Sequence, residues 1–228
     1  LKLYIGTGGW DYYKGSRDKL AAYARHYNFV EVNSTFYSNP DLKIVKAWRN
    51  RVPDNFEFSV KCNKIITHKN MLHSIPESIY QAEYTARICQ LLRSRTVILQ
   101  TPPSLNITSD RISSLNCLIE VFRERGITTV LDARSKIPND VLKIVNNLGI
   151  VLSVDLTKEE PFNSGEMVYS RLFGQSGARL HGFSEKEYIM IEQRLTSSRP
   201  KVAYLAFHGI QMYSDALQFK KHLSLQAL

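Results

Sequence analysis

Thr96-Val97-Ile98-Leu99-Gln100 is apolar almost throughout and runs directly into Thr101-Pro102-Pro103. A short run with no polar face is what a parallel strand buried on both sides requires. Val130-Leu131 repeats the signature within Thr128–Asp132. Six further β-branched or aromatic-rich runs accompany these two: Leu3–Ile5, Phe29–Val32, Phe56–Lys61, Val151–Asp155, Met167–Leu172 and Val202–Phe207.

Stretches of helical period separate most of the runs. Leu20, Tyr23, Ala24 and Tyr27 form one apolar stripe, and Asn39-Pro40 offers a cap and a first-turn proline ahead of Ile44, Val45 and Trp48. Ser109 can cap the stripe Ile112, Leu115, Ile119, Phe122, which Gly126 stops. Pro138 opens, and Gly149 closes, a helix carrying Val141, Leu142 and Val145. Ser184-Glu185-Lys186-Glu187 reads as a capping box, and a last helix starts near Ser214-Asp215. Only the link between the sixth and seventh runs, with Pro161-Phe162-Asn163-Ser164-Gly165, reads as loop. Successive βα-like units without an internal linker or repeat predict an α/β fold of the TIM type. The expectation is a compact (β/α)8 barrel forming a single domain over residues 1–228.

Composition agrees with a globular chain: 43% hydrophobic and 22% charged residues exclude a disordered or collagen-like polymer. No apolar run approaches the roughly 20 residues of a membrane span, so no membrane partner is expected. Leu1–Ile5 is too short for a signal-peptide core, and Cys62, Cys89 and Cys117 lack metal-type spacing; both point to a reducing cytoplasm. The formal charge is +9, and residues 1–100 hold 15 Lys/Arg against 8 Asp/Glu. A basic half of this kind favours anionic partners, nucleic acid or a phosphorylated small molecule.

In such a barrel the chemistry belongs at the C-terminal strand ends. The first strand leaves through Gly6-Thr7-Gly8-Gly9-Trp10, where Gly8 and Trp10 can meet a ligand or simply make a tight turn; no GxGxxG follows, so no nucleotide cofactor is expected. Glu31 sits in a hydrophobic run, so its carboxyl must be paired, metal-bound or protonated. It fits a metal ligand, a general base, or a structural partner of an Arg or Lys on another strand. Asn33, Thr35 and Tyr37 follow it closely as substrate-binding candidates. Lys61 ends the third strand with His68 just beyond, suited to an anion or to acid–base work. Gln100 offers an amide. Asp132 and Arg134 share a strand face and form either a salt bridge or an active-site pair. Asp155, Arg171 and His208 end the last three strands. Glu31, Asp132, Asp155 and His208 supply ligand types that Mg²⁺, Mn²⁺ or Zn²⁺ accept. Tyr12, Tyr13 and Tyr37 are candidates for an open aromatic rim, whereas Trp48 falls on the apolar stripe of its helix.

These segments resemble the domain-of-unknown-function-72, or YecE-like, family. The resemblance rests on Ile5–Trp10, Val30-Glu31-Val32-Asn33-Ser34-Thr35-Phe36-Tyr37, Phe58-Ser59-Val60-Lys61 with Thr67-His68, Gln100–Pro103, Asp155, and Val168–Gly174. It implies a TIM-type barrel similar to those of endonuclease IV and xylose isomerase, whose strand ends hold divalent metals. Against the family pattern, Asp132 stands where Glu is usual, Phe173 where His commonly precedes Gly174, and His208-Gly209 where two asparagines are usual.

The leading expectation is a divalent-metal-dependent phosphodiester hydrolase acting on nucleic acid. Glu31, Asp132, Asp155 and His208 would hold the metal, and Lys61, Arg134 and Arg171 would steady phosphoryl charge. One alternative is a sugar or sugar-phosphate isomerase or lyase with Glu31 as base and Lys61 or His68 as acid. A further alternative is a non-catalytic nucleic-acid-binding barrel.

Overall fold

A computed structural model describes residues 1–15, 17–162, 166–175 and 182–226. In chain order the elements are β1 (Lys2–Thr7), α1 (Lys19–Tyr23), β2 (Phe29–Val32), a 3-10 turn (Ser34–Phe36), α2 (Leu42–Asn50) and β3 (Glu57–Lys61). A single π-helical turn (Ile65–Lys69) precedes α3 (Pro76–Leu92), β4 (Thr96–Gln100), α4 (Ser109–Arg123), β5 (Thr128–Asp132), α5 (Asn139–Asn147) and β6 (Val151–Val154). The chain closes with β7 (Met167–Leu172), α6 (Glu185–Ser198), β8 (Val202–Phe207) and α7 (Met212–Gln226). The hydrogen-bonded strand order is a closed barrel, β1 to β8 in sequence, and the described strand pairs are parallel. This is the TIM-type class read from the apolar runs. Of the loop expected between β6 and β7, residues 163–165 lie outside the described residues. Among the described residues no helix is long and apolar enough to cross a membrane.

Helix starts shift by a residue or more from the sequence reading, because a competing side chain takes the cap. Asp41, not Asn39, caps α2 by accepting from the Lys43 amide at 2.7 Å, and Thr108, not Ser109, caps α4. The Ser184–Glu187 capping box forms in full.

The chain's contacts divide into two compact units. The first comprises Leu1–Glu31, Val52–Glu57 and Ser153–Leu228. In it β1 pairs in register with β8 from Lys2↔Val202 to Thr7↔Phe207, and β8 pairs with β7. Gly6 is required here: a Cβ would fall 1.8 Å from the Phe29 carbonyl oxygen and 2.8 Å from the Tyr23 hydroxyl. That fully buried hydroxyl donates to Phe29 O (2.8 Å) and accepts from the Thr7 amide (2.9 Å), which locks α1 onto β1 and β2. Burial pushes the Tyr23 phenol well above its ordinary range. Tyr13, Tyr27 and Tyr213 pack edge or face against one another and against Tyr23.

The second unit comprises Val32–Arg51 and Phe58–Leu152. Its core is built on Val97, Ile98, Leu99, Val130 and Leu131, all fully buried as their unbroken apolar pattern requires, with Ile88, Ile112, Leu115 and Phe122 from the helices. Cys62 and Cys89 are buried here and Cys117 is exposed on α4. Burial pushes the Cys62 thiol up to about 12 and raises that of Cys89 as well.

Candidate functional site

Period-two alternation on β7 puts Tyr169 and Arg171 on one face, and in the first unit both reach Glu31. The Glu31 side chain has no exposed surface. Its Oε2 accepts from the Tyr169 hydroxyl at 2.9 Å and from Arg171 Nε at 3.1 Å; its Oε1 accepts from Arg171 Nη2 at 3.0 Å. His208 Nε2 lies 3.7 Å from the same Oε1. Glu31 is thus paired with an arginine on another strand, one of the arrangements open to a carboxyl in a hydrophobic run. A carboxylate held by a two-pronged guanidinium and a phenol is a poor base, because abstracting a proton would cost it those bonds.

His208 follows β8, its amide bonded to Leu172 O at 2.9 Å, and its ring stacks on Phe173 with centroids 4.7 Å apart. The guanidinium of Arg171 lies 5.5 Å from the Phe173 ring centre. His208 also lines a cavity of about 950 Å³, together with Gly8, Tyr12, Tyr13, Lys14 and the segment from Gly209 to Ser214. Tyr12 is an open rim residue, as expected, whereas Tyr13 is half-buried in the tyrosine cluster. Trp10 is buried.

Asp155 lies in the same unit. Its Oδ1 accepts from the Thr157 amide (3.0 Å) and hydroxyl (2.7 Å), and its Oδ2 accepts from the Phe173 amide (3.0 Å). Asp155 thus ties the end of β6 to the residue that stacks on His208.

In the second unit Asp132 Oδ2 pairs with Arg134 Nη2 at 3.0 Å, and the Arg134 amide donates to the Thr101 hydroxyl. Thr35 directs its hydroxyl at the carbonyls of Val32 (2.9 Å) and Lys61 (2.7 Å), which holds the backbone there. Asn33 and Gln100 are half-buried. Lys61 lies with its ammonium 4.0 Å from the Phe36 ring centre, and His68 meets the same ring edge-on at 5.0 Å. Tyr37 is exposed, with Lys64 over its ring.

The proposed metal ligands divide between the units, Glu31, Asp155 and His208 in one and Asp132 in the other. Among the described residues no group of three or more His, Cys, Asp or Glu side chains is arranged to hold a metal ion. The three carboxylates direct their oxygens at arginine, hydroxyl and amide donors, which does not fit a metal-ligand set. Sequence reasoning missed Tyr169, Lys14 and the start of α7. Tyr169 was legible in the alternation with Arg171; the other two become neighbours of His208 only through the fold.

The UPF0759 protein YecE of Escherichia coli (strain K12) is 34% identical over 92 residues, which are 39% of this chain and only 33% of that relative's length. A DUF72 family protein from Enterococcus faecalis V583 superposes with a TM-score of 0.77 at 20% identity, covering 98% of both chains. A xylose isomerase domain containing protein from Salmonella typhimurium LT2 gives a TM-score of 0.60 at 14% identity, over 92% of this chain and 93% of that one. The family model described as "Protein of unknown function DUF72" matches residues 4–227, and the chain belongs to that family.

Proposed function

We propose that this protein is a small-molecule enzyme of the sugar or sugar-phosphate isomerase class, with His208 as the group that moves the proton. The observation that carries the reading is that His208 faces the buried Glu31–Arg171 pair at 3.7 Å while lining a cavity of about 950 Å³, a size suited to a small ligand. In this reading His208, rather than Glu31, is the base. The Glu31 carboxylate, 3.7 Å from Nε2, places negative charge beside the ring, and the stack on Phe173 orients it. The ring takes a proton from the hydroxyl-bearing carbon beside the substrate carbonyl and returns it to the carbonyl carbon, while the hydroxyl proton passes to the former carbonyl oxygen. Tyr12 and Tyr13 offer faces for a sugar ring, and Lys14 offers a cation to a phosphate. The xylose-isomerase description of a barrel of the same fold supports this choice, as fold analogy only. The phosphodiester-hydrolase reading has no such support, and no step here runs through a metal.

The test is deuterium wash-in, followed by proton NMR, over a panel of pentoses, hexoses and their phosphates in D2O. It is run with Mg²⁺, Mn²⁺, Zn²⁺ or EDTA. Wild-type protein should exchange a carbon-bound proton of at least one sugar, and His208→Gln should slow this by about 100-fold or more. Exchange that survives His208→Gln, or none with any sugar, overturns the proposal.

A further inference from the structure

The second unit holds a cluster that the proposed reaction does not use. Directly after β3 the chain makes one π-helical turn, Ile65–Lys69, closed by the Asn70 amide on Ile65 O at 2.8 Å. Such turns are rare and cluster at functional positions. Two non-glycine residues in the left-handed region follow at once, Met71 (φ 48°) and Leu72 (φ 67°). This conformation is costly and persists only because its surroundings hold it. Arg111 Nη1 donates to Met71 O at 2.7 Å, and Asn70 bonds Glu77 and Ser78.

What the strained segment presents is His68. Its Nδ1 meets the Thr67 hydroxyl at 2.8 Å, and the Thr67 side chain is fully buried, so the ring is held in one orientation. Lys61, only 7% exposed, lies over the face of Phe36, while His68 and Tyr37 meet that same ring edge-on. Lys64 is exposed above Tyr37. Burial, Lys61 and Lys64 together hold the His68 imidazole below its ordinary value. Both ammonium groups therefore act on the same ring, and their charge favours an oxyanion beside them.

We propose that Lys61, Lys64 and His68 form an oxyanion site, receiving a phosphate or carboxylate group, with the exposed Tyr37 face against the remainder of the ligand. An oxyanion placed there offsets the two ammonium charges, and the imidazole then gains a proton more readily. Because this site lies wholly in the second unit, it stands or falls separately from the His208 reading.

The experiment is a pH titration of the His68 ring nitrogens by proton–nitrogen NMR on the whole ¹⁵N-labelled chain, with His68→Gln fixing the assignment. Samples contain inorganic phosphate, sodium acetate or sodium chloride at equal ionic strength. The His68 midpoint should lie below 6.5 in chloride and rise by about one pH unit in phosphate. An equal rise in acetate assigns the site to carboxylates as well, and a rise in phosphate alone assigns it to phosphate groups. Lys64→Ala, at an exposed position that leaves folding undisturbed, should raise the chloride midpoint and at least halve the phosphate effect. The exposed Lys43→Ala should change neither. An identical His68 midpoint in all three salts, or a full phosphate effect in Lys64→Ala, overturns the proposal.

Discussion

Phe173 and His208 lie ring on ring, their centroids 4.7 Å apart and their planes 16° from parallel. The Phe173 amide is in turn fixed by Asp155 at 3.0 Å, so a carboxylate at the end of β6 sets the plane in which the imidazole rests. Phe173 is thus a positioning residue. Phe173→Ala should lower the turnover number of His208-dependent exchange about tenfold with little change in KM, and Phe173→Tyr should restore it. An equal loss in both variants would show that the stack has no part in holding His208.

The Glu31–Arg171 pair is buried on both sides, with side-chain exposures of 0% and 5%. Removing the guanidinium leaves the carboxylate with the Tyr169 hydroxyl and the nearby imidazole. Arg171→Met should cost about 3–5 kcal/mol in urea unfolding. Adding Glu31→Gln should recover part of that loss, because the uncompensated charge goes with it. A double-mutant cycle that sums without coupling would contradict the pairing.

Asp215, on the first turn of α7, is buried, and its carboxyl is pushed up to about 6, chiefly by burial and further by Glu187, against a bond from the Phe183 amide. The folded state holds this proton more tightly than the unfolded chain does. The group's stabilising contribution is therefore complete below the unfolded value near 4 and is lost as pH rises through 6. Asp215→Asn should unfold at a higher temperature than wild type at pH 8 and at nearly the same temperature at pH 4. A gap of at most about 3 kcal/mol is expected. A difference independent of pH would show that this carboxyl does not titrate as described.

His222 on α7 reaches α6 twice, with Nδ1 2.7 Å from Glu185 Oε1 and Nε2 3.0 Å from Glu192 Oε2. His222→Leu, which keeps the apolar contacts with Tyr188 and Phe219, should cost about 1–3 kcal/mol. Amide exchange should quicken in α6 and α7 before it does in β7 and β8. Uniform quickening would argue against a local clamp.

Gly6→Ala is the most severe single change expected. The methyl would overlap the Phe29 carbonyl, where neither strand backbone can give way. A loss above about 4 kcal/mol, or no folded protein, is expected by circular dichroism and thermal melting.

How far the sequence could be read depended on whether a signal was local. The strands of the second unit were plain, because Val97–Leu99 and Val130-Leu131 carry no polar residue and only double burial explains that. Helix starts were blurred where neighbouring cap formers competed, as Asn39 with Asp41 and Ser109 with Thr108. The π turn left no trace, since its one extra residue per turn does not alter the pattern of Ile65 and Ile66. Glu31 was legible as a carboxyl that had to be paired, but its partners lie 138 and 140 residues away. That pairing is distant in sequence, and spacing along the chain does not encode it.

All three cysteines fall in the second unit, two sealed and one exposed. A thiol reagent therefore sees this protein as a clock with a single hand. Cys117 reacts at once and sets the zero, while Cys62 and Cys89 react only when β3 or α3 opens to solvent. The unmodified chain thereby carries its own probe of that half, and its openings can be timed with no engineered residue.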